Sequence, residues 1–214
     1  MGAAKTRSSS TRAATARASK PDAPKSYAGT ILRVDLSTGS SERIATRRYA
    51  ERFLGGRGLA SAIYWNEVSP ETGALEPDNR LILAVGPLAG VPGVGGSRWG
   101  AFAKSPLPQG ERFCYGNLGG SFGAELKFAG YDALILQGRA DRPVILSIRN
   151  GQISLHGADD LWGRSTTDTI KIVKQRQGER AKVLTIGPAG ERLLPCATLF
   201  ADGDASCSGG MGAV

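Results

Sequence analysis

The sequence predicts a mixed helix-and-strand fold made of two related halves. Three observations lead there. Short apolar strand patterns alternate with helical ones along residues 27–214. Several of the strands read as hairpins. Motifs of the first half recur, in order, in the second. The alternation alone admits a doubly wound sheet, and the uneven strand runs admit an α+β arrangement equally.

Thr30-Ile-Leu-Arg-Val-Asp-Leu36 alternates and ends in Ser-Thr-Gly, which reads as a strand entering a turn. Residues 48–54 and 57–67 read as helices separated by Gly55-Gly56. Leu81-Ile-Leu-Ala-Val85 is a buried strand closed by Gly86-Pro87, and residues 98–104 and 111–115 are further strands. A helix is expected over 120–129, with strands at 133–137 and 144–148. Ser165–Gln177 reads as a helix with a polar outer face, and Lys182–Ile186 as a last strand.

Four echoes carry the duplication. Ile31-Leu-Arg-Val recurs as Ile145-Leu-Ser-Ile, and Gly56-Arg57 before a helix recurs as Gly163-Arg164. Arg80-Leu-Ile-Leu-Ala-Val-Gly-Pro87 recurs as Ala181-Lys-Val-Leu-Thr-Ile-Gly-Pro188, and Gly119-Gly-Ser-Phe-Gly-Ala124 as Gly209-Gly-Met-Gly-Ala213. Their order is kept while the offset shrinks, so two pseudo-twofold halves are expected, the second shorter.

Of the net charge of +8, residues 1–26 contribute +5 through six Lys/Arg against Asp22. The basic balance belongs to this Ser/Ala/Arg-rich arm, which is expected to be a disordered tail, with a transit peptide as the alternative. It gives no basis for a nucleic-acid surface on the folded part, residues 27–214. No run is long and apolar enough to span a membrane, so neither nucleic acid nor membrane is expected as a partner. Cys114, Cys196 and Cys207 are scattered, with no C-x2-C pair to bind zinc or a cluster. An odd, sparse set suits a reducing cytoplasm. Cys207, in a glycine-rich loop, is expected to be reactive, and Cys114 and Cys196 to be buried. Glu125 and Lys127 read as a solvated helix pair, His156 as exposed, and Trp65, Trp99 and Trp162 as core or rim.

Asn117-Leu-Gly-Gly-Ser-Phe-Gly is a glycine-rich loop opening a helix, which lets backbone N–H groups approach an anion. The run Gly119-Gly-Ser-Phe-Gly-Ala-Glu-Leu-Lys-Phe-Ala-Gly-Tyr-Asp-Ala-Leu-Ile-Leu136 closely resembles the amino-terminal domain of tungsten-containing aldehyde:ferredoxin oxidoreductases. So do Gly55-Gly-Arg-Gly-Leu-Ala60, Gly86-Pro-Leu88, Lys104-Ser-Pro-Leu107 and Ile186-Gly-Pro-Ala-Gly-Glu191. The resemblance implies an α+β fold of two intertwined, pseudo-twofold-related halves with mixed β-sheets, cradling two pterins over residues 27–214. It implies a tungsten or molybdenum bis-pterin, a magnesium ion bridging the pterin phosphates, and oxidation of aldehydes to carboxylates. A 4Fe-4S cluster and the substrate residues would lie in a C-terminal part or partner chain, with ferredoxin as acceptor.

Residue by residue, Arg98 matches the family's pterin-binding arginine, able to hold a phosphate bidentately. Asn117, Gly119 and Gly120 match the loop where a backbone carbonyl meets magnesium and amides meet the pterin, and a helix cap is the alternative role of Asn117. Ala205 corresponds, by symmetry with Asn117, to the second magnesium contact. The family pattern has two arginines in that last loop, whereas Asp202-Gly-Asp-Ala-Ser-Cys-Ser-Gly-Gly-Met211 has Asp204 and none. An aspartate repels phosphate unless a magnesium ion intervenes. Two other roles are expected as alternatives: a non-catalytic assembly module or fragment, which this altered loop supports, and part of a related aromatic acyl-CoA reductase, which the resemblance also admits.

Overall fold

The computed structural model describes residues 26–202 and 205–214; the basic arm up to Lys25, and Asp204, lie outside the described residues. The chain begins with a hairpin of β1 (Thr30–Asp35) and β2 (Ser41–Ala45), then helices α1 (Arg47–Phe53) and α2 (Gly56–Glu67). Three antiparallel strands follow: β3 (Leu81–Val85), β4 (Trp99–Ser105) and β5 (Arg112–Leu118). Helix α3 (Phe122–Phe128) leads into β6 (Ala133–Gln137), which inserts between β1 and β3, parallel to the first and antiparallel to the second. The result is one mixed sheet of order β2-β1-β6-β3-β4-β5.

The second half repeats this plan. A hairpin of β7 (Val144–Arg149) and β8 (Gln152–Gly157) precedes helix α4 (Thr166–Gln177). Then come β9 (Leu184–Thr185), the short α5 (Pro188–Glu191), β10 (Leu199–Ala201) and β11 (Ala205–Cys207), the three strands again antiparallel. The α+β architecture is as expected, with one mixed sheet, while the sheets of the second half are antiparallel.

The two-residue strand period divides each strand between two cores. Ile31 of β1 packs outward with Leu59 and Ile63 of α2, while Leu32 and Val34 enter a central core. The echoed residues do the same: Ile145 of β7 packs outward with Ile170 and Val173 of α4, and Leu146 and Ile148 turn to the central core. Ile82 and Leu83 of β3 split outward and inward, as do Val183 and Leu184. The molecule is thus layered helix–sheet–sheet–helix, with one shared core between the sheets.

Several elements differ from expectation. The strand expected over 182–186 shrinks to Leu184–Thr185, because β9 pairs with β10 on one edge only. The helix expected over 120–129 is Phe122–Phe128, preceded by Ser121, whose side chain makes no cap hydrogen bond. Asn117 is no cap: β5 runs on to Leu118 and includes it. Trp65 is 85% exposed, at the far end of α2.

Two buried aspartates pin the halves. Asp132 accepts from the Ala28 and Gly29 amides at 2.9 and 2.8 Å and from the Thr46 hydroxyl at 2.7 Å. Lys127 Nζ closes the set at 2.9 Å. Asp202 is held by Lys174 and Lys182, each at 2.9 Å. Burial pushes its carboxyl up, but the two lysines outweigh that and hold it below the usual carboxylate range.

Candidate functional site

Three motifs far apart in sequence meet at one end of the six-stranded sheet. The register fixes this end: Val85 lies opposite Trp99, and Trp99 opposite Leu118. There β3 exits into Gly86-Pro87, β4 is entered from Arg98, and β5 exits into Gly119-Gly120. The amino end of α2 joins them. A Cβ at Gly55 would lie 3.2 Å from the Val85 carbonyl and 3.3 Å from Pro87. Arg57 of that helix donates to the Tyr115 hydroxyl of β5 at 2.6 Å and lies over its ring.

Trp99 supports the glycine loop from beneath. Its indole N–H donates to the Gly119 carbonyl at 2.8 Å, and its ring packs on Phe122 with centroids 4.8 Å apart. Gly123 leaves room for that ring, since a Cβ there would lie 2.7 Å from it. Gly120 turns the chain with φ near +69°, a conformation that favours glycine. Arg98 is exposed and makes no hydrogen bond or ion pair with other described residues. Extending the register sets it opposite Gly119. Asn117, exposed in β5, lies opposite Gly100. The structure therefore brings Arg98, Asn117, Gly119 and Gly120 to one sheet end.

The strand that carries Ala205, β11, packs on β5 from the other half. A Cβ at Gly116 would lie 2.1 Å from Cys207 Sγ and 3.3 Å from the Ser208 carbonyl, so the Cys207 side chain of β11 packs directly on the β5 backbone there. Ser105 ties the following turn by donating to the Gly209 carbonyl at 2.6 Å. The sheet registers refine the correspondence. Trp99 faces Leu118 as Leu199 faces Cys207, which aligns Ser206 with Asn117 and Ala205 with Gly116. Sequence spacing could not see this, because the loop lengths differ while the strand ladders do not.

Cys207 is not the reactive thiol its loop suggested. It is 1% exposed, and burial pushes its pKa up to about 11. Cys196, expected to be buried, is exposed, and Cys114 is intermediate. With iodoacetamide at pH 8, Cys196 is expected to alkylate at least about tenfold faster than Cys207 in the folded chain. Equal rates, read by peptide mass spectrometry, would refute the packing of β11 described above.

The donor set suits an anionic cofactor better than a metal held by side chains. Among the described residues, no three His, Cys, Asp or Glu cluster so as to bind a metal ion. What the site offers is an arginine, glycine-loop amides and strand-end carbonyls, the groups that take up phosphates and a phosphate-bound cation. The depression at Arg33, Glu67 and Arg80 lies at the opposite end of the sheet, where Glu67 already bridges both arginines. No helix among the described residues is long and apolar enough to cross a membrane.

Comparison with known proteins places the chain in a family. Residues 31–214 match the family model described as "Aldehyde ferredoxin oxidoreductase, N-terminal domain". The chain is 41% identical over 192 residues to a tungsten-containing aldehyde ferredoxin oxidoreductase of Pyrococcus furiosus, and 38% identical over 192 residues to one of Thermococcus kodakarensis. Each match covers 87% of this chain and 31% of the relative, so the chain spans about a third of those proteins. Among solved structures, the active site complex BamBC of benzoyl coenzyme A reductase, in complex with 1,5-dienoyl-CoA, superposes with a TM-score of 0.83 at 35% identity. That match covers 88% of this chain and 29% of the other. The chain therefore belongs to the aldehyde ferredoxin oxidoreductase family, and the part of it that the family model matches is that family's N-terminal domain.

Proposed function

We propose that this chain is the cofactor-cradling part of a tungsten (or molybdenum) bis-pterin oxidoreductase that oxidises aldehydes to carboxylates. The observation that carries the reading is the convergence of Gly55-Gly56, Gly86-Pro87, Arg98 and the Asn117–Gly120 loop at one sheet end, with β11 packed against β5 beside them. Relatives about 40% identical are named for tungsten, which supports the metal. Such a cofactor, when bound, supplies the two-electron redox chemistry.

The chain's own residues would bind and orient it. Arg98, unpaired and exposed, would grip a pterin phosphate bidentately. Gly119 and Gly120 would let the backbone come close to the pterin, Trp99 fixing the Gly119 carbonyl. Asn117 would offer a backbone carbonyl to a magnesium ion, and in the second half Ser206, its counterpart by register, would take the place expected of Ala205, which aligns with Gly116. Iron–sulfur cluster, substrate contacts and the exit of electrons to ferredoxin belong to the rest of the oxidoreductase, a C-terminal part or partner chain, in a cytoplasmic enzyme.

The fold likeness to a benzoyl coenzyme A reductase favours a second reading, part of an aromatic acyl-CoA reductase. Assaying the loaded enzyme with an aldehyde and with an aromatic thioester separates the two.

The test of the cradle itself is metal content. Tungsten and molybdenum per polypeptide are measured by plasma mass spectrometry on the protein purified from its host with whatever partner it carries. Near-stoichiometric metal is expected in the wild type. Arg98→Ala should lower it severalfold while stability stays within about 0.5 kcal/mol, since the side chain is exposed. Unchanged metal in the variant would sink the role of Arg98, and no metal in the wild type would favour the assembly-module reading.

A further inference from the structure

Helix α1 is built against its own stability. Its sequence, Arg47-Arg-Tyr-Ala-Glu-Arg-Phe53, opens on two cations with no acid in the first turn, where the helix dipole disfavours positive charge. Thr46, at the cap position, makes no cap hydrogen bond, and its hydroxyl goes to Asp132 instead. Arg48 and Arg52 stand four apart on one side of the helix, where like charges repel. Both are exposed, and neither forms an ion pair with another described residue. Glu51, the one acid of α1, forms none either.

These two arginines line an open depression of 820 Å³ at the end of the sheet away from the cradle. Its least exposed lining groups are Arg33, Glu67 and Arg80, with Glu42 beside Arg33. Four arginines therefore face two glutamates, and the two charges of α1 are left uncompensated. The Nε–H groups of Arg33 and Arg80 are buried there without a hydrogen-bond acceptor, so Glu67 does not saturate the floor. Aromatic rings border the same cations. Arg48 lies 6.0 Å over the Tyr49 ring and Arg52 5.4 Å over the Phe53 ring, which orients both guanidinium groups. Trp65, 85% exposed, stands at the rim. Arginine beside tryptophan, tyrosine and phenylalanine is the composition that carries binding energy in protein interfaces.

We infer that this depression is a docking site for an acidic segment of a partner polypeptide, with carboxylates at alternate positions and an apolar residue beside them. Charge complementarity sets the sign, and the helix sets the pattern. Four helical residues rise about 6 Å, and side chains two apart on an extended chain are separated by about 6.6 Å. A Glu-x-Glu segment thus offers one carboxylate to Arg48 and one to Arg52, and its apolar neighbour covers Trp65. A free phosphate is a poorer fit. The lining holds no glycine loop whose amides converge on one anion, and a lone ion pair on an open surface contributes little.

The test titrates the full chain into a fluorescein-labelled peptide, Glu-Ser-Glu-Ser-Phe, and reads fluorescence anisotropy at about 50 mM salt. It does not involve the cofactor, so its outcome is independent of the cradle reading. Saturable binding is expected, weaker by at least about tenfold in the double variant Arg48→Gln, Arg52→Gln and severalfold weaker in Trp65→Ser. The basic arm is the same in every version, so the difference between versions reports on α1 alone. In urea the double variant should be at least as stable as the wild type, because a like-charge pair is gone. A less stable double variant would show that the arginines serve the fold, and would overturn the site. So would absent binding, equal affinity in the double variant, equal affinity for Gln-Ser-Gln-Ser-Phe, or displacement by equimolar inorganic phosphate. A single-stranded oligonucleotide that binds more tightly than the peptide, and is lost in the double variant, would replace the polypeptide by nucleic acid. Equal binding of Glu-Glu-Ser-Ser-Phe would overturn the alternate spacing.

Discussion

Asp132→Ala is expected to cost about 3–5 kcal/mol of stability, the largest effect of any single substitution in the first half. The side chain is 2% exposed and its Lys127 partner 10%. Removing the carboxylate strands the Lys127 ammonium in a site where it cannot rehydrate, and leaves the Ala28 and Gly29 amides and the Thr46 hydroxyl without their acceptor. Those donors come from the entry to β1 and the start of α1, so the loss loosens the edge of the sheet and not only one loop. Asp132→Asn keeps the shape and one acceptor oxygen and should recover part of the loss. Urea denaturation measures both, and a loss below about 1 kcal/mol for the alanine variant would show that water replaces the network.

Gly116→Val should separate the two halves where they touch. A side chain there meets Cys207 Sγ at 2.1 Å, a distance no rotamer change of a buried neighbour relieves easily. Overpacking of this kind costs about 1–3 kcal/mol, and here the backbone of β11 has to move with it. Because β11 carries Ala205 and Ser206, the loss should reach the cofactor as well. Bound metal is expected to fall together with thermal stability, in contrast to Arg98→Ala, where metal falls alone. The companion change Cys207→Gly should restore part of both, since it removes the atom that the new side chain meets. A valine variant with wild-type stability would refute the close approach of β5 and β11.

The glycine loops were legible because their chemistry is local: a close backbone approach or a left-handed turn demands glycine wherever it occurs. Lys127 was not. Glu125 and Lys127 are two apart on α3 and so do not face each other, and the lysine reaches instead across to Asp132, a partner chosen by how α3 docks on the sheet. Cys207 was misread for a related reason. Its glycine-rich neighbours suggested an open loop, yet Gly210 and Gly212 pack closely on the Pro195 and Thr198 carbonyls, and Cys207 itself lies against Gly116 of β5.

The sequence by itself determined the alternation of strands and helices, the repeat, and the glycine motifs, because each rests on period or on neighbouring residues. Only the tertiary structure decided which strand ends meet, that Ser206 is Asn117's counterpart, and that the second sheet is split. Those depend on which edge each strand offers to another, and the hydrogen bonds that settle it join residues more than a hundred positions apart.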